Sequence, residues 1–352
     1  MQNNQSLDTL NEASFVRNSI ALCAWEILWA MGSPLCMLWT IIPAYMLILE
    51  APRFLIQSVM LFFTVAVILQ LYSSKLIYGK KRKLLVLVDW LLFCSFWFLY
   101  SIFAIISWNS LPHYIHMVTF LFVCLGLAVT MNLGSPPYIE MCVTNIPLAK
   151  RGRFMAMKNV SMGTAGLIGI IFANNLMKRW LPPENFHFSM LIGSSIMFLS
   201  CFSLLIWKDN AGKFLSEEPH SSPLFVAAAL FKNINFRVFL FFFLFCAIAM
   251  SLAPMLISYA KDVLHFPASK VTYFTAAFFI GPIFGGLFFN PMADKHGFRL
   301  IAIISALFLL LAFLTPLIFW GKTIPVIIAY IFYSCANGMI ATLPANLGSE
   351  IA

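Results

Sequence analysis

The chain of 352 residues is 61% hydrophobic and only 10% charged, and its formal net charge is +9 at pH 7. Soluble domains carry roughly 25% charged residues, so this composition excludes an ordinary soluble protein and indicates an integral membrane protein. The positive charge does not indicate a nucleic-acid partner, because the basic residues lie in short loops between apolar runs, as in proteins that cross a membrane several times.

In chain order, ten apolar runs are long enough to cross a hydrocarbon layer of about 30 Å, which takes about 20 helical residues. Helices are expected because each must satisfy its own backbone hydrogen bonds in lipid. The predicted fold class is therefore an all-α polytopic membrane protein. The runs are residues 20–46, 54–74, 84–107, 114–138, 155–177, 187–207, 238–260, 271–292, 300–320 and 323–349.

The distribution of lysine and arginine predicts the orientation. If the N-terminus is placed in the cytoplasm, 16 of the 22 lysines and arginines fall on the cytoplasmic side. This bias follows the positive-inside rule. We therefore expect a cytoplasmic N-terminus.

One connection, residues 208–237, is long and charged, whereas the other connections are short. Such a segment is typical of a linker between two helix bundles. It predicts four parts: a cytoplasmic N-terminal tail (1–19), an N-terminal six-helix bundle (20–207), a cytoplasmic linker loop (208–237) and a C-terminal bundle of four helices (238–352).

The two halves of the sequence resemble one another. The tetrapeptide Asn-Leu-Gly-Ser at 132–135 recurs at 346–349, near the end of the fourth run of each half. A loop with a glycine and bases follows the second run of each half, around Gly79 and Gly297. Repeats in matching positions indicate duplication. We therefore expect two pseudo-symmetric bundles of 6 + 4 helices, a fragment of a 6 + 6 protein that lacks its last two helices.

The second of these loops resembles the loop motif of the major facilitator superfamily. That motif reads Gly, three residues, Asp, a base, any residue, Gly and then two bases, and the corresponding stretch here is NPMADKHGFR at 290–299. Asn290 and Phe298 depart from it. The residues that match are Asp294, Lys295, Gly297 and Arg299.

The rest of the chain also resembles this family. The first-half loop matches the motif at Gly79, Lys80 and Lys81, and residues 149–159, with Arg151 and Arg153, are similar to the entry to the fifth helix in bacterial members. The resemblance implies a secondary active transporter that works by alternating access. It also implies a substrate cavity between the bundles, lined by the first and fourth helices of each half.

The resemblance further implies that the loops form a cytoplasmic gating latch. Gly297 permits a tight reversal, and a carboxylate at Asp294 is favoured by nearby helix N-termini. Acids on adjacent helices are the expected partners of the bases: Glu350 for Lys295 and Arg299, and Glu140 for Lys80, Lys81 or Arg82. The alternative is that these bases only set the topology.

Glu26 is the only carboxylate well inside an apolar run. A charge within the membrane costs a few kcal/mol, so it should face a cavity or a partner. Glu26 is therefore a candidate carrier of a coupling proton, or a contact for a cationic substrate. The alternative is that it extends to nearby water and has no function, an interpretation that is stronger still for Asp89, which lies nearer the end of its run.

Helical spacing places further polar and aromatic side chains on shared faces. Trp25 and Trp29 lie one turn apart on the first helix, and Asn132 and Ser135 project from the fourth. The tenth helix carries Tyr330, Tyr333, Ser334 and Asn337. Such side chains suit sugars, nucleosides or drug-like amphiphiles, but stripes of this kind also occur where helices simply pack together.

Other signals are weak. The eight cysteines lie in or beside apolar runs, as packing residues do, and His113 and His116 lack further ligands for zinc. Motifs for nucleotide binding or hydrolysis are not found, so we expect no cofactor and no enzymatic activity. The leading hypothesis is a proton-coupled symporter or antiporter of a small molecule, acting as a monomer. The alternatives are a non-transporting binding or sensory protein and a membrane-embedded lipid-modifying enzyme.

Overall fold

A computed structural model of the chain describes residues 2–37, 41–70, 73, 82–146, 150–209, 231–252, 256, 259–260, 263–265, 272–340 and 343. Within these residues every regular element is a helix, as the apolar composition predicts. The α-helices are α1 (Gln2–Gly32), α2 (Ile41–Ile48), α3 (Arg53–Ala66), α4 (Arg82–Ser107), α5 (His113–Asn145), α6 (Arg151–Arg179), α7 (Glu184–Cys201), α8 (Ile234–Ser251), α9 (Thr272–Phe284), α10 (Asn290–His296), α11 (Phe298–Ile318) and α12 (Thr323–Ile340).

Seven of the described stretches are long and apolar enough to cross a membrane, and each coincides with one of the ten predicted runs. Two shorter apolar helices, Phe54–Phe63 and Ile234–Met250, fall in two more. The all-helical, multi-span prediction is therefore confirmed. The seven stretches are Arg82–Ser107, His113–Cys142, Gly152–Arg179, Glu184–Leu205, Tyr273–Ala293, Phe298–Ile318 and Thr323–Ile340.

The first predicted run, 20–46, differs from the structure at both ends. Helix α1 starts at Gln2 rather than at residue 20, because the polar residues before 20 include no proline or glycine to stop a helix. At the other end α1 stops at Gly32, and a 3-10 turn, Ser33–Leu35, precedes α2. Pro34 lies in that turn and cannot continue an α-helical hydrogen-bond ladder.

The chain forms two compact units. The first comprises Met1–Ile146 and Ile168–Glu218, and the second comprises Pro147–Leu167 and Pro219–Ala352. Helix α6 contributes its first part to the second unit and its last part to the first. The predicted boundaries at 207 and 238 stay a prediction, since residues 210–230 of the linker lie outside the described residues.

At one end of the first unit, basic side chains donate hydrogen bonds to the carbonyl groups at the end of a helix. The 3-10 turn Phe202–Leu205 follows α7, and its last carbonyls lack helical donors. Arg17 Nε donates to Ile206 O at 2.6 Å, and Lys83 Nζ donates to Leu205 O at 2.6 Å and to Trp207 O at 2.9 Å. These cations satisfy the carbonyls and offset the negative end of the helix dipole.

Candidate functional site

An aromatic cluster in the first unit surrounds the stripe predicted on the first helix. The ring of Trp25 lies 6.0 Å from that of Trp29, 5.5 Å from Trp90 and 5.0 Å from Tyr138. Trp29 also lies 4.8 Å from Trp90 and 5.4 Å from Phe93. The contacts are edge-to-face or tilted, as aromatic quadrupoles prefer. The structure thus brings α1, α4 and α5 together at one group of rings, which we call the tryptophan cluster (Trp25, Trp29, Trp90, Phe93 and Tyr138).

Two buried hydrogen-bond donors of the tryptophan cluster have no acceptor among the described residues. Among the described residues, the indole Nε1 atoms of Trp25 and Trp90 are buried without a hydrogen-bond partner. A buried donor left unpaired costs about 1–3 kcal/mol, so such donors are expected near a polar ligand or water. Trp29 and Tyr138 are partly exposed, and their rings therefore form the accessible edge of the cluster.

Glu26 follows Trp25 on α1 and is only 6% exposed. A side chain that extended into water would be far more exposed, so the structure does not favour that interpretation. The carboxylate is therefore buried next to Trp25, and its functional role stays a prediction.

Asn132 and Ser135 use their polar atoms within the first unit. Gln70 Nε2 donates to Asn132 Oδ1 at 2.8 Å, and Asn132 Nδ2 donates to Ala128 O at 2.9 Å and to Phe63 O at 3.4 Å. Ser135 Oγ donates to Met131 O of its own helix at 2.6 Å. Asn132 therefore joins α5 to the end of α3. This is a structural role, and its predicted role in the substrate cavity stays a prediction.

The predicted residues of the tenth span lie in the core of the second unit. Tyr330, Tyr333 and Ser334 are buried, whereas Asn337 is partly exposed. The rings of Tyr330 and Tyr333 lie 5.4 Å apart, and Ser334 Oγ donates to Phe278 O of α9. This face of α12 therefore packs on α9 over most of its length.

The family-like loop forms the turn between α10 and α11. Gly297 ends α10 with φ +79° and ψ 162°, a backbone conformation that favours glycine, so the predicted reversal is confirmed. Lys295 and Arg299 are exposed, and so is Arg153 at the start of α6. Several predicted latch groups lie outside the described residues: Gly79, Lys80, Lys81, Glu350 and the side chains of Asp294 and Arg151.

Glu140 has a partner in the first unit. Arg82 Nη1 lies 3.3 Å from Glu140 Oε1, and the two side chains are 4% and 30% exposed. Arg82 is one of the three bases that the sequence offers for this acid. The pair joins the first turn of α4 to the last part of α5.

Asp89, for which the sequence favours the interpretation without a function, has a buried carboxylate oxygen. Its Oδ2 atom is buried and has no hydrogen-bond partner among the described residues. The carboxylate lies against Gly134 of α5, where a Cβ atom would collide with it. The signals were an acid inside an apolar run and a glycine in the repeated tetrapeptide, but periodicity does not show that they meet.

A buried tyrosine–histidine chain in the first unit was also missed. Tyr45 Oη lies 2.9 Å from His187 Nε2 and 3.0 Å from Tyr100 Oη, and Tyr100 Oη donates to His116 O at 3.4 Å. The chain links α2, α4, α5 and α7. Within the described parts of the chain, no three His, Cys, Asp or Glu side chains are grouped to hold a metal ion.

A pocket of about 220 Å³ lies in the second unit, between the C-terminal end of α11 and residues that follow α8. Its walls are apolar, with Tyr259 and Trp320 among them. The predicted site residues are not part of its lining.

Comparisons with known proteins identify the fold. Residues 22–352 match the model of the Major Facilitator Superfamily. A comparison of the sequence with curated proteins finds no match. Similar solved structures include the xylose transporter XylE from E. coli in a partially occluded inward-open conformation, at TM-score 0.63 and 12% identity, covering 97% of this chain and 85% of that chain.

Two further structures are similar. A mutant form of the nucleoside transporter NupG matches at TM-score 0.61 and 16% identity, covering 91% of this chain and 80% of that chain. The human organic anion transporter MFSD10 matches at TM-score 0.60 and 14% identity, covering 94% and 85%. At these identities the similarity shows the fold. Because the family model matches nearly the whole sequence, the chain belongs to the major facilitator superfamily of membrane transporters.

Proposed function

We propose that the protein is a secondary active transporter that moves a small organic solute across the membrane by alternating access, driven by a proton gradient. Membership of the family supports transport, and transporters of this family use internal repeats to expose one site alternately to two sides. The proposal includes a bacterial inner membrane, a cytoplasmic N-terminus, a monomeric protein and no enzymatic activity.

The observation that carries this proposal is the burial of Glu26 beside the tryptophan cluster. A carboxylate inside a membrane protein is expensive and usually functional. In this proposal Glu26 takes up a proton or contacts a cationic group of the substrate. The rings of Trp25 and Trp29 contact the substrate.

The substrate class that we propose is a polar solute with a flat or hydrophobic face. Indole rings stack on such faces, and the unpaired Nε1 donors of Trp25 and Trp90 suit hydroxyl or carbonyl acceptors. The similar structures include transporters named for nucleosides and for xylose. Uridine and D-xylose are therefore the first probes to use.

A flux assay tests the proposal. The purified chain is reconstituted into liposomes, and uptake of labelled uridine and D-xylose is measured with and without an inward proton gradient. We expect gradient-driven accumulation of one probe and its collapse with a protonophore. Glu26→Gln should reduce accumulation about tenfold or more, while the matched control Glu184→Gln, an exposed acid at the start of α7, should not.

The outcomes separate the alternatives. Gradient-independent uptake would contradict proton coupling. Probe binding without flux would favour a binding or sensory protein, and turnover of a lipid headgroup would favour an enzyme.

We further propose that the loop at Asp294, Lys295, Gly297 and Arg299 and the pair of Arg82 with Glu140 act as gating elements. In this proposal the pair breaks when α4 and α5 separate at this end and water reaches the two charges, and it reforms when the helices close again. Altered transport rates with unchanged insertion, in Asp294→Ala and Glu140→Gln, would support this role. Unchanged kinetics in both would exclude it.

A further inference from the structure

We propose that Asp89 is a site of reversible protonation, and that its contact with Gly134 couples the proton to the packing of α4 on α5. The inference rests on the proposed proton-driven function and adds to it a second intramembrane carboxylate, besides Glu26. It starts from one atom: Asp89 Oδ2, buried and without a hydrogen-bond partner among the described residues.

The position of Asp89 makes an ionised carboxylate unfavourable in this conformation. Asp89 lies seven residues beyond Arg82, within the apolar stretch Arg82–Ser107, about 10 Å along the helix from its start. A carboxylate there without a partner is costly to ionise, whereas the neutral acid is much less so. The residue as a whole is partly exposed, and in this proposal water reaches the carboxyl from that side.

The neighbouring helix offers a place for the neutral acid. Gly134 has no side chain, and the Asp89 carboxylate occupies the position where a Cβ would lie. Pro136 and Pro137 follow within α5 and have no N–H groups, so the carbonyl oxygens of Asn132 and Leu133 lack their helical donors. A protonated carboxyl is a donor beside a backbone segment that is short of donors.

Two charged groups at the start of α4 have partners other than Asp89. Arg82 of α4 pairs with Glu140 of α5, and Lys83 donates to carbonyls after α7. Further titratable groups on these elements are Tyr138 of α5, whose ring contacts Trp25; Cys94 of α4, whose sulfur lies 4.0 Å from that of Cys201 of α7; Tyr100 of α4; His113, Tyr114, His116, Cys124 and Cys142 of α5; Glu184 and His187 of α7; and Cys23 and Glu26 of α1.

The chemical step is a simple proton transfer. The Asp89 carboxylate takes one proton from a hydronium ion and leaves a water molecule, and the reverse step returns the proton to water. The ionised carboxylate requires hydration, and the contact with Gly134 leaves no room for water there. Ionisation therefore favours separation of α4 from α5 at Gly134, which links proton release to a movement of the helices.

Infrared spectroscopy tests the inference without a substrate. Difference spectra of the reconstituted chain are recorded between neutral and alkaline buffer, where exposed carboxyls with an ordinary pKa of about 4 stay ionised. We expect a band of a protonated carboxyl that disappears at alkaline pH. The band should lose one component in Asp89→Asn, and Glu26→Gln should keep that component. A band that is unchanged in Asp89→Asn, or no band in the wild type, would overturn the proposal.

A second variant tests the contact in case Asp89→Asn does not fold. Gly134→Ala keeps the acid but fills its place with a methyl group, so the pH midpoint of the Asp89 band should move. An unmoved midpoint in a folded Gly134→Ala protein would contradict the proposed contact.

Liposome flux separates this inference from the proposed function. With uridine or D-xylose, whichever the wild type transports, Asp89→Asn should lose gradient-driven accumulation about tenfold or more but keep exchange across the membrane. If Asp89→Asn accumulates the probe as well as the wild type does, the proposed role of Asp89 in coupling is wrong, and the proposed function is not affected. If the Asp89 infrared band is present but the wild type shows no gradient-driven uptake, the proposed function is contradicted and the protonation of Asp89 is supported.

Discussion

Arg82 Nη1 lies 3.3 Å from Glu140 Oε1, and the arginine is almost fully buried while the glutamate is partly exposed. The first turn of α4 is thereby fixed to the last part of α5. A buried guanidinium depends on such a partner, because an unpaired charge cannot be accommodated cheaply away from water.

Removing one partner of this pair should therefore cost more than removing both. Glu140→Gln removes the carboxylate from beside the buried Arg82 guanidinium and should lower the free energy of unfolding by about 1–3 kcal/mol. Arg82→Met combined with Glu140→Gln should recover part of the loss. Thermal unfolding of the purified variants in detergent gives the double-mutant cycle, and strictly additive losses would argue against the ion pair.

The contact of α9 with α12 should depend on Gly281. A Cβ at this position would collide with Ser334 Oγ and with the backbone beside it, so Gly281→Ala should destabilise the protein by about 1–3 kcal/mol. The matched control is Gly285→Ala, where the nearest atoms would lie 3.8 and 4.0 Å away. Melting temperatures should separate the two variants clearly, and equal values would contradict the close approach at Gly281.

Tyr45→Phe should show whether the buried tyrosine–histidine chain stabilises the first unit. The substitution removes the hydroxyl that contacts both His187 and Tyr100. His187 Nε2 loses this partner, at a cost of about 1–3 kcal/mol, while Tyr100 Oη keeps its bond to His116 O. Tyr114→Phe is the control, because Tyr114 is 63% exposed. Chemical unfolding curves are the measurement. A Tyr45→Phe protein as stable as the control would show that water replaces the hydroxyl.

Asn132→Ala distinguishes a structural from a substrate-binding role. The amide joins α5 to Gln70 and to Phe63 O, so its loss should lower stability by about 1–2 kcal/mol. Ser135→Ala removes only a bond within α5 and should be nearly neutral. If Asn132→Ala instead lowers uridine or D-xylose uptake without any loss of stability, the residue belongs to the substrate cavity.

Many of the helices could be predicted, because the hydropathy of a segment depends only on the residues within that segment. The run 84–107 corresponds to Arg82–Ser107 and the run 300–320 to Phe298–Ile318. The reversal at Gly297 followed from the residue type. The start of α1 at Gln2 could not be read from hydropathy, since a polar segment can be helical without being apolar.

The candidate site was less predictable. Trp25 and Trp29 share a face by their spacing alone, but their contacts with Trp90 and Tyr138 depend on how α4 and α5 are rotated. Asp89 was set aside because it lies near the end of its run. Its burial against Gly134 depends on a residue 45 positions away in the sequence.

By itself, the sequence determined that the chain is a multi-span helical membrane protein and that it resembles the major facilitator superfamily. Composition, apolar run length and loop residues are properties of single segments, and lipid leaves an isolated segment little choice but a helix. Only the tertiary structure decided that Arg82 is a partner of Glu140, that Asp89 lies against Gly134, and that Tyr45 contacts His187. These contacts join different helices, and close packing sets the rotation and register of each helix, which periodicity leaves open.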